Sequence, residues 1–283
     1  MVAPPVIALS SASVRARYDG RKERLVGTNL AYERAVTRAG GIPIVLPFGV
    51  RGRRAAAALA RADALVLTGG DDVTAPALAA PPGRGDPLRD ASDAALLAAA
   101  RAQGLPVLGV CRGVQLLAVR SGGTLTEVDG HAPAAGGPMG RHRVRLEPSS
   151  WVARRLGVTV GVVPSLHRFA VADPGRLAVV ARAGDGTIEA LADPRRFEVG
   201  VQWHPELSGG ALGHPLWRAL VAEAAGSAGV AGPAGGAEHG EASGPAVAAA
   251  GGPVAAQSVA VATPRGRRSG GYAAAEPTEV VSR

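Results

Sequence analysis

The feature of this sequence that most restricts its fold is a series of short apolar runs separated by segments with a helical pattern. Strands are predicted at residues 6–9, 44–46, 64–67 and 107–110. Strands with little polar alternation that are separated by helices indicate a parallel sheet covered on both faces. The sequence therefore predicts an α/β fold with a doubly wound, mostly parallel sheet, in which sites lie at the carboxyl ends of the strands.

Residues that favour helix ends mark three helices between these strands. The helices are predicted over residues 28–39, 53–61 and 86–103. Thr28 is a candidate N-cap of the first helix, and Gly40 is a stop at its end. Pro87 suits the first turn of the third helix. From about residue 141 onward the predicted strands are shorter and richer in turn residues, which is typical of the mixed edge of a sheet.

The composition of the chain changes near Gly226. From there to Arg283 it consists mostly of Ala, Gly, Pro and Ser with isolated Val. Such a segment has too few large apolar residues to offset the entropy lost on ordering. We therefore predict one folded domain over residues 1–224 and a disordered tail over residues 225–283.

Composition and charge also exclude several classes of protein. One cysteine cannot form a disulfide framework or a cysteine-based metal cage within a single chain. No apolar run reaches the roughly 20 residues that a bilayer span needs, and residues 1–5 lack the features of a signal peptide. The net charge of +8 comes from arginines scattered among Ala and Gly, without a nucleic-acid-binding motif. We expect a cytoplasmic protein with no membrane or nucleic-acid partner.

The single cysteine lies in Gly109-Val110-Cys111-Arg112-Gly113, between a predicted strand and the start of a helix. This is the pattern of a nucleophile on a sharp strand–turn–helix elbow, where small neighbours prevent clashes. The helix N-terminus and the adjacent Arg112 favour the thiolate, and the Arg112 amide is placed to stabilise an oxyanion. An inert buried cysteine is the structural alternative, but the two glycines favour a nucleophile.

A cysteine nucleophile needs an imidazole base, and the base needs an orienting acid. His204 follows a short apolar strand, and Glu206 lies two residues further on. In extended chain the two side chains would point to the same side, with Pro205 fixing the backbone between them. The His-x-Glu spacing alone is equally compatible with a surface pair.

A glycine pair follows the strand predicted at 64–67, in Thr68-Gly69-Gly70. Glycines there allow close backbone approach and can aim N–H groups into a concavity, so that Gly70 could supply a second oxyanion donor. An ordinary turn is the alternative. The segment lacks the Lys-Ser/Thr of a phosphate loop, and no dinucleotide-binding glycine motif is present. We expect no cofactor.

Taken together, these segments resemble the class I glutamine amidotransferase-like superfamily, and within it the peptidase C26 branch of γ-glutamyl-γ-aminobutyrate hydrolase-like proteins. The resemblance extends from about residue 7 to residue 207. The motifs that carry it occur in the same order: Thr68-Gly69-Gly70-x-Asp72-Val73, Arg89-Asp90, Gly109-Val110-Cys111-Arg112-Gly113-x-Gln115, Gly122-Gly123-Thr124-Leu125, Asp185-Gly186-x-Ile188-Glu189-Ala190 and Gly200-Val201-Gln202-Trp203-His204-Pro205-Glu206.

The resemblance implies a flavodoxin-like core and assigns roles to particular residues. It implies a Cys-His-Glu triad of Cys111, His204 and Glu206, and an oxyanion hole formed at Gly70 and Arg112.

The resemblance also implies residues around the substrate. Gln115 matches a position that helps to hold the glutamyl group, and Ser165 and His167 match a stretch beside the substrate. The chain departs from the family pattern around the pocket at Pro164, Arg168, Phe169, Asp93 and Ala118. The histidines without a family role are interpreted as surface or structural residues and not as metal ligands: His131, His142, His214 and His239.

The implied activity is hydrolysis of γ-glutamyl amide bonds in a small-molecule substrate, such as γ-glutamyl-GABA or a related γ-glutamyl amine from polyamine catabolism. One alternative is a glutaminase subunit that supplies ammonia to a separate synthetase partner. Another is a non-catalytic protein that binds γ-glutamyl ligands. The sequence leaves a homodimer open.

Overall fold

The computed structural model describes residues 3–18, 21–74, 85–133, 137–208 and 210–228. Its strands are β1 (Val6–Leu9), β2 (Ala12–Tyr18), β3 (Arg21–Gly27), β4 (Ile42–Val45), β5 (Ala64–Leu67), β6 (Val107–Val110), β7 (Thr124–Glu127), β8 (Gly140–Leu146), β9 (Val160–Ser165), β10 (Phe169–Asp173), β11 (Ala178–Ala183), β12 (Ile188–Ala192) and β13 (Glu198–Val201). Its α-helices are α1 (Leu30–Arg38), α2 (Arg53–Leu59), α3 (Pro87–Gln103), α4 (Arg112–Val119), α5 (Trp151–Leu156) and α6 (His214–Ala228).

One large sheet organises the chain. Strands β4, β1, β5, β6 and β13 lie side by side in that order, and each neighbouring pair is parallel. The sheet continues through β12, β11, β8 and β9 in antiparallel pairs, and β10 joins β12 to β7. The predicted doubly wound α/β fold, with a parallel centre and a mixed edge, is confirmed.

Helices cover both faces of the parallel strands. Along β1 the side chains of Ile7 and Leu9 join one buried cluster, whereas Ala8 joins the other. The first cluster includes buried residues of α1, α5 and α6, and the second includes those of α2, α3 and α4. Two-sided burial explains why the strands read as continuous apolar runs in the sequence.

Several predicted boundaries were wrong. Helix α1 begins at Leu30, and its N-cap is Asn29, whose side chain accepts a hydrogen bond from the amide of Ala31 at 2.9 Å, so Thr28 is not the cap. Strand β4 begins at Ile42 and includes Pro43, which the edge position tolerates because β4 pairs with β1 alone. Helix α2 ends at Leu59, two residues before the predicted end.

The antiparallel pair of β2 and β3 was not predicted. All seven residues of β2 pair with residues of β3, from Ala12 opposite Gly27 to Tyr18 opposite Arg21. At the other end of the chain, α6 continues to Ala228, past the boundary that composition suggested. The predicted tail beyond that helix lies outside the described residues. Among the described helices, none is both long and apolar enough to cross a membrane.

Candidate active site

Cys111 lies on a sharp turn between β6 and α4. Its φ of 51° makes it the one non-glycine residue with positive φ in the described part of the chain. A Cβ added at Gly109 would lie 2.7 Å from the backbone of Gly113, and one added at Gly113 would lie 2.4 Å from the carbonyl oxygen of Leu67. The elbow therefore needs both glycines, and it holds Cys111 in a strained conformation.

His204 lies beside Cys111 because their strands are parallel neighbours. Val110 at the end of β6 is opposite Val201 at the end of β13. Cys111 and His204 are both buried, at 4% and 9% exposure. The carboxyl ends of two adjacent strands thus bring the thiol and the imidazole together.

Glu206 accepts a hydrogen bond from Nδ1 of His204, with 2.7 Å between the atoms. The chain between them is not extended as the sequence suggested, because Pro205–Leu207 forms a short 3-10 helix. Burial disfavours the charged imidazolium of His204, but the sulfur of Cys111 and the carboxylate of Glu206 outweigh burial and raise the pKa of His204 to about 10. These contacts favour the imidazolium form of His204.

Two residues of the site were missed by sequence reasoning. The side-chain amide of Gln202 donates a hydrogen bond to the sulfur of Cys111 at 3.7 Å. The hydroxyl of Tyr32 accepts one from the amide of Gly69 at 2.8 Å. Burial and the nearby Glu206 carboxylate raise the pKa of Tyr32 well above its usual value. The place of Gln202 directly after the apolar run of β13 and two residues before His204 was the available sequence signal for it.

The glycine pair forms a close-fitting turn over the site. A Cβ at Gly69 would lie 3.1 Å from the ring of His204 and 3.6 Å from Cβ of Cys111. Gly70 has a φ of 149°, and a Cβ there would lie 2.0 Å from the guanidinium of Arg89. That guanidinium donates to the carbonyl of Gly69 at 2.8 Å. The turn therefore lies against the side chains of Cys111 and His204. Arg89 holds the turn in place by its hydrogen bond to Gly69.

The guanidinium of Arg112 does not have the role predicted for it, which was to favour the thiolate of Cys111. It is buried and forms ion pairs with Asp90 and Asp93. Its charge is therefore held by two carboxylates and is not free to favour the Cys111 thiolate. Asp93, one of the departures from the family pattern, reaches the guanidinium of Arg112. The backbone N–H of Arg112 belongs to the first turn of α4, where an N–H has no acceptor within the helix.

Gln115 lies fully buried on α4, four residues after the nucleophile. Its amide nitrogen donates to Asp72 at 2.8 Å and to the carbonyl of Phe169 at 3.2 Å. Its oxygen accepts from the amide of Val73 at 3.2 Å. Gln115 thus ties the chain after β5 to β10, and its contact with a substrate stays a prediction.

Ser165 and His167 lie on the antiparallel side of the sheet. The hydroxyl of Ser165 donates to the carbonyl of His131 at 2.6 Å. Nδ1 of His167 is 3.2 Å from the carbonyl of Phe169, which also accepts from Gln115. The carbonyl of Phe169 therefore connects His167 to Gln115 on α4.

A group of buried polar side chains surrounds His167. Its members could hold a metal ion, and their ligand atoms all lie within 4.8 Å of one another: His131, His142, His167 and Glu189. His131 is only 4% exposed and His142 is half-buried, so neither is a surface residue. No local spacing in the sequence marks this group, because its members lie on separate strands and loops.

Comparisons with known proteins found a matching family and named relatives. The peptidase C26 family model matches residues 5–206. Rv2859c of Mycobacterium tuberculosis, named as a glutamine amidotransferase, is 38% identical over 211 residues, 70% of this chain and 68% of that protein. The gamma-glutamyl-gamma-aminobutyrate hydrolase PuuD of Escherichia coli K12 is 31% identical over 194 residues, 62% of this chain and 76% of that protein.

Solved structures show the same fold. The glutaminase domain of Trypanosoma brucei CTPS with bound acivicin has a TM-score of 0.57 and 18% identity, covering 78% of this chain and 94% of that chain.

Proposed function

This chain belongs to the peptidase C26 family, and on that premise we propose that it is a cysteine-dependent hydrolase of γ-glutamyl amide bonds. The observation that carries the proposal is the strained Cys111 beside the hydrogen-bonded pair of His204 and Glu206. A nucleophile, a base and an orienting acid at the ends of two adjacent strands are the parts that acyl transfer through a thioester needs.

In the first half of the reaction, the thiolate of Cys111 attacks the γ-carbonyl carbon of the substrate. The resulting oxyanion is stabilised by backbone N–H groups at Gly70 and Arg112. His204, held by Glu206, donates its Nε2 proton to the leaving amine, so that the C–N bond breaks and a γ-glutamyl thioester remains on the sulfur.

In the second half, His204 removes a proton from water, and the resulting hydroxide attacks the thioester carbonyl. The C–S bond breaks, glutamate leaves, and the thiolate–imidazolium pair is restored. The hydrogen bond from Gln202 to the sulfur supports the thiolate in both halves.

For the substrate we propose γ-glutamyl-GABA or a related γ-glutamyl amine, bound through its α-amino and α-carboxyl groups. Support comes from the PuuD relative, which is named for hydrolysis of γ-glutamyl-GABA. Gln115 and His167 are proposed to shape the glutamyl pocket, because both form a hydrogen bond with the carbonyl of Phe169. Ser165, which ends β9 two residues before His167, is proposed to line the same pocket. The departures at Pro164, Arg168 and Phe169 fall in the same region and would tune the choice of amine.

The test is glutamate release by the purified protein from γ-glutamyl-GABA, γ-glutamyl-putrescine derivatives and glutamine. We expect release from at least one γ-glutamyl amine, and loss of that release in Cys111→Ala. Alkylation of Cys111 in the wild type verifies that the thiolate is present. Suppose that Cys111 reacts with the alkylating reagent in one sample, but an untreated sample of the same protein releases glutamate from none of these compounds. That result would refute a stand-alone hydrolase.

A glutaminase subunit is the second candidate function. It is favoured by the name of the Mycobacterium tuberculosis relative. The two functions differ in their need for a partner, because a free hydrolase works alone, whereas a glutaminase subunit would release ammonia from glutamine only with its synthetase. Glutamine hydrolysis that appears on adding a partner protein would support the subunit.

A further inference from the structure

Three histidines and a glutamate converge on the antiparallel half of the sheet. His131 follows β7, His142 lies on β8, His167 lies between β9 and β10, and Glu189 lies on β12. Backbone pairing assembles them: His142 is opposite Val163 on β9, and the amide of His167 donates to the carbonyl of His131 at 3.2 Å. The sheet itself therefore fixes the positions of these four side chains.

Four of the six distances within this cluster match those of tetrahedral metal ligands, and the remaining two lie within 4.8 Å. Oε1 of Glu189 lies 3.4 Å from Nδ1 of His131, 3.2 Å from Nε2 of His142 and 3.4 Å from Nε2 of His167. The two nitrogens of His131 and His167 are 3.2 Å apart. Tetrahedral Zn²⁺ with bonds of about 2.0–2.1 Å places its ligand atoms roughly 3.3–3.4 Å apart. Charge-assisted hydrogen bonds are shorter, at about 2.7–2.9 Å.

The outer nitrogens of two histidines have partners suited to metal ligands. Nε2 of His131 is 2.8 Å from a carboxylate oxygen of Asp185, and Nδ1 of His167 is 3.2 Å from the carbonyl of Phe169. When these outer nitrogens donate, the inner nitrogens carry lone pairs that point at one another. Zinc-bound histidines are oriented in this way by carboxylates and carbonyls behind them.

Glu189 is the strongest sign that something is held between the rings. It is fully buried, and neither of its carboxylate oxygens has a hydrogen bond of acceptable geometry within the described residues. A proton on His131 is the alternative occupant, since the contact with Glu189 raises the pKa of His131 to about 9. A proton on Nδ1 of His131 can be donated to Glu189 or to Nε2 of His167, whereas a bound ion would engage all four ligand atoms at once.

We propose that His131, His142, His167 and Glu189 bind a divalent transition metal ion, with Zn²⁺ the best fit. Four protein ligands complete a tetrahedral shell without an open position, which is the pattern of a structural rather than a catalytic site. The charge of the ion would be balanced by Glu189 within the shell and by Asp185 behind His131. This proposal does not depend on the proposed hydrolase activity.

The ion would stabilise the chain beside the candidate active site. The carbonyl of Phe169 joins His167 to Gln115, and the backbone carbonyl of Glu189 accepts from the amide of Gln202 at 2.8 Å. The metal site therefore lies one hydrogen bond away from residues that contact the nucleophile or its helix.

The test uses the full chain without a histidine tag, stripped of metal with a chelator. Zn²⁺ is titrated in competition with a chromophoric chelator, and Co²⁺ is added as a spectroscopic probe of geometry. We expect one Zn²⁺ per chain and the visible absorption of tetrahedral Co²⁺. His142→Gln should abolish both, whereas His214→Gln, which removes a histidine outside the cluster, should retain both.

A milder variant keeps the test decisive if His142→Gln fails to fold. Asp185→Asn removes the exposed carboxylate behind His131 and should weaken Zn²⁺ binding by about 10- to 100-fold. Asp173→Asn is its matched control, because each aspartate accepts a hydrogen bond from the amide two residues on, at 3.0 Å for Asp185 and 2.8 Å for Asp173. Absence of tetrahedral Co²⁺ absorption in the wild type, or equal Zn²⁺ affinity in the two variants, would overturn the proposal.

Discussion

The reactivity expected of Cys111 comes from its immediate neighbours and not from the charge next to it in sequence. The positive φ of Cys111 places its side chain at the end of the sheet, and His204 and Gln202 contact its sulfur. The guanidinium of Arg112, although adjacent in sequence, is bound to two aspartates. The charged group beside the sulfur of Cys111 is therefore His204, its neighbour in space, and not the guanidinium of Arg112, its neighbour in sequence.

The role of Glu206 can be tested with Glu206→Gln. The change keeps the shape of the side chain and removes a negative charge 2.7 Å from His204. The pKa of His204 should then fall below its value of about 10, because one of the contacts that raise it is lost. The value of kcat for glutamate release should fall by roughly 10²- to 10⁴-fold, the range that a positioned acid–base group contributes. Titration of the ring by NMR and steady-state kinetics measure the two effects.

Glu223→Gln is the control for that prediction. Glu223 lies on α6 and pairs with Arg155 near the surface, away from Cys111, so its loss should leave both the titration of His204 and the value of kcat unchanged. An unchanged His204 titration in Glu206→Gln would show that Glu206 does not hold the imidazolium.

At the scale of elements, the contact between α4 and β5 depends on the absence of a side chain at Gly113. Gly113→Ala would place a Cβ 2.4 Å from the carbonyl oxygen of Leu67, so α4 must move away from the strand. We expect the free energy of unfolding to fall by about 1–3 kcal/mol, measured by urea denaturation. Kinetics of glutamate release should worsen as well, because α4 begins immediately after Cys111.

Gly226→Ala provides a comparison within another helix. A Cβ at Gly226 of α6 meets no atom within 4 Å, so alanine should stabilise the protein by roughly 0.5–1 kcal/mol through its higher helix propensity. Equal effects of the two substitutions would mean that helix propensity, and not the approach of α4 to β5, decides the outcome at Gly113.

Elements with a strong local signal could be predicted from the sequence. Strands β1, β5 and β6 have the predicted bounds, because buried parallel strands are continuous apolar runs. Helix α3 begins one residue after its predicted start, because Asp86 is its N-cap. The pair of β2 and β3 was missed, although Asp19-Gly20 between them is a hairpin signal. Its residues are largely exposed, so no apolar run marks them.

The same distinction separates the two polar clusters. Cys111 and His204 each follow a recognisable strand, so a local motif sufficed to select them. The cluster around Glu189 depends on the register of antiparallel strands that are far apart in sequence, such as β8 opposite β9 and β10 opposite β12. A local pattern cannot specify such a register, and His131 and His142 were accordingly assigned no function.

At the scale of the whole molecule, the described elements end at Ala228, and every residue of the candidate active site lies before residue 207. A chain that ends at residue 228 should therefore fold and release glutamate with the kcat and KM of the full chain. Its free energy of unfolding in urea should also match that of the full chain, because each described strand and helix is retained.

A second truncation tests whether α6 is the last element that the fold needs. A chain that ends at residue 213 lacks Leu216, Trp217 and Leu220, which are at most 2% exposed and pack in the cluster that covers one face of the sheet. The loss of three large core side chains costs about 2–5 kcal/mol each. Their sum is comparable with the whole free energy of unfolding of a typical domain. We expect this chain to be unfolded by circular dichroism. A marked loss of stability or activity in the chain ending at 228 would instead assign residues 229–283 a part in the fold or the site.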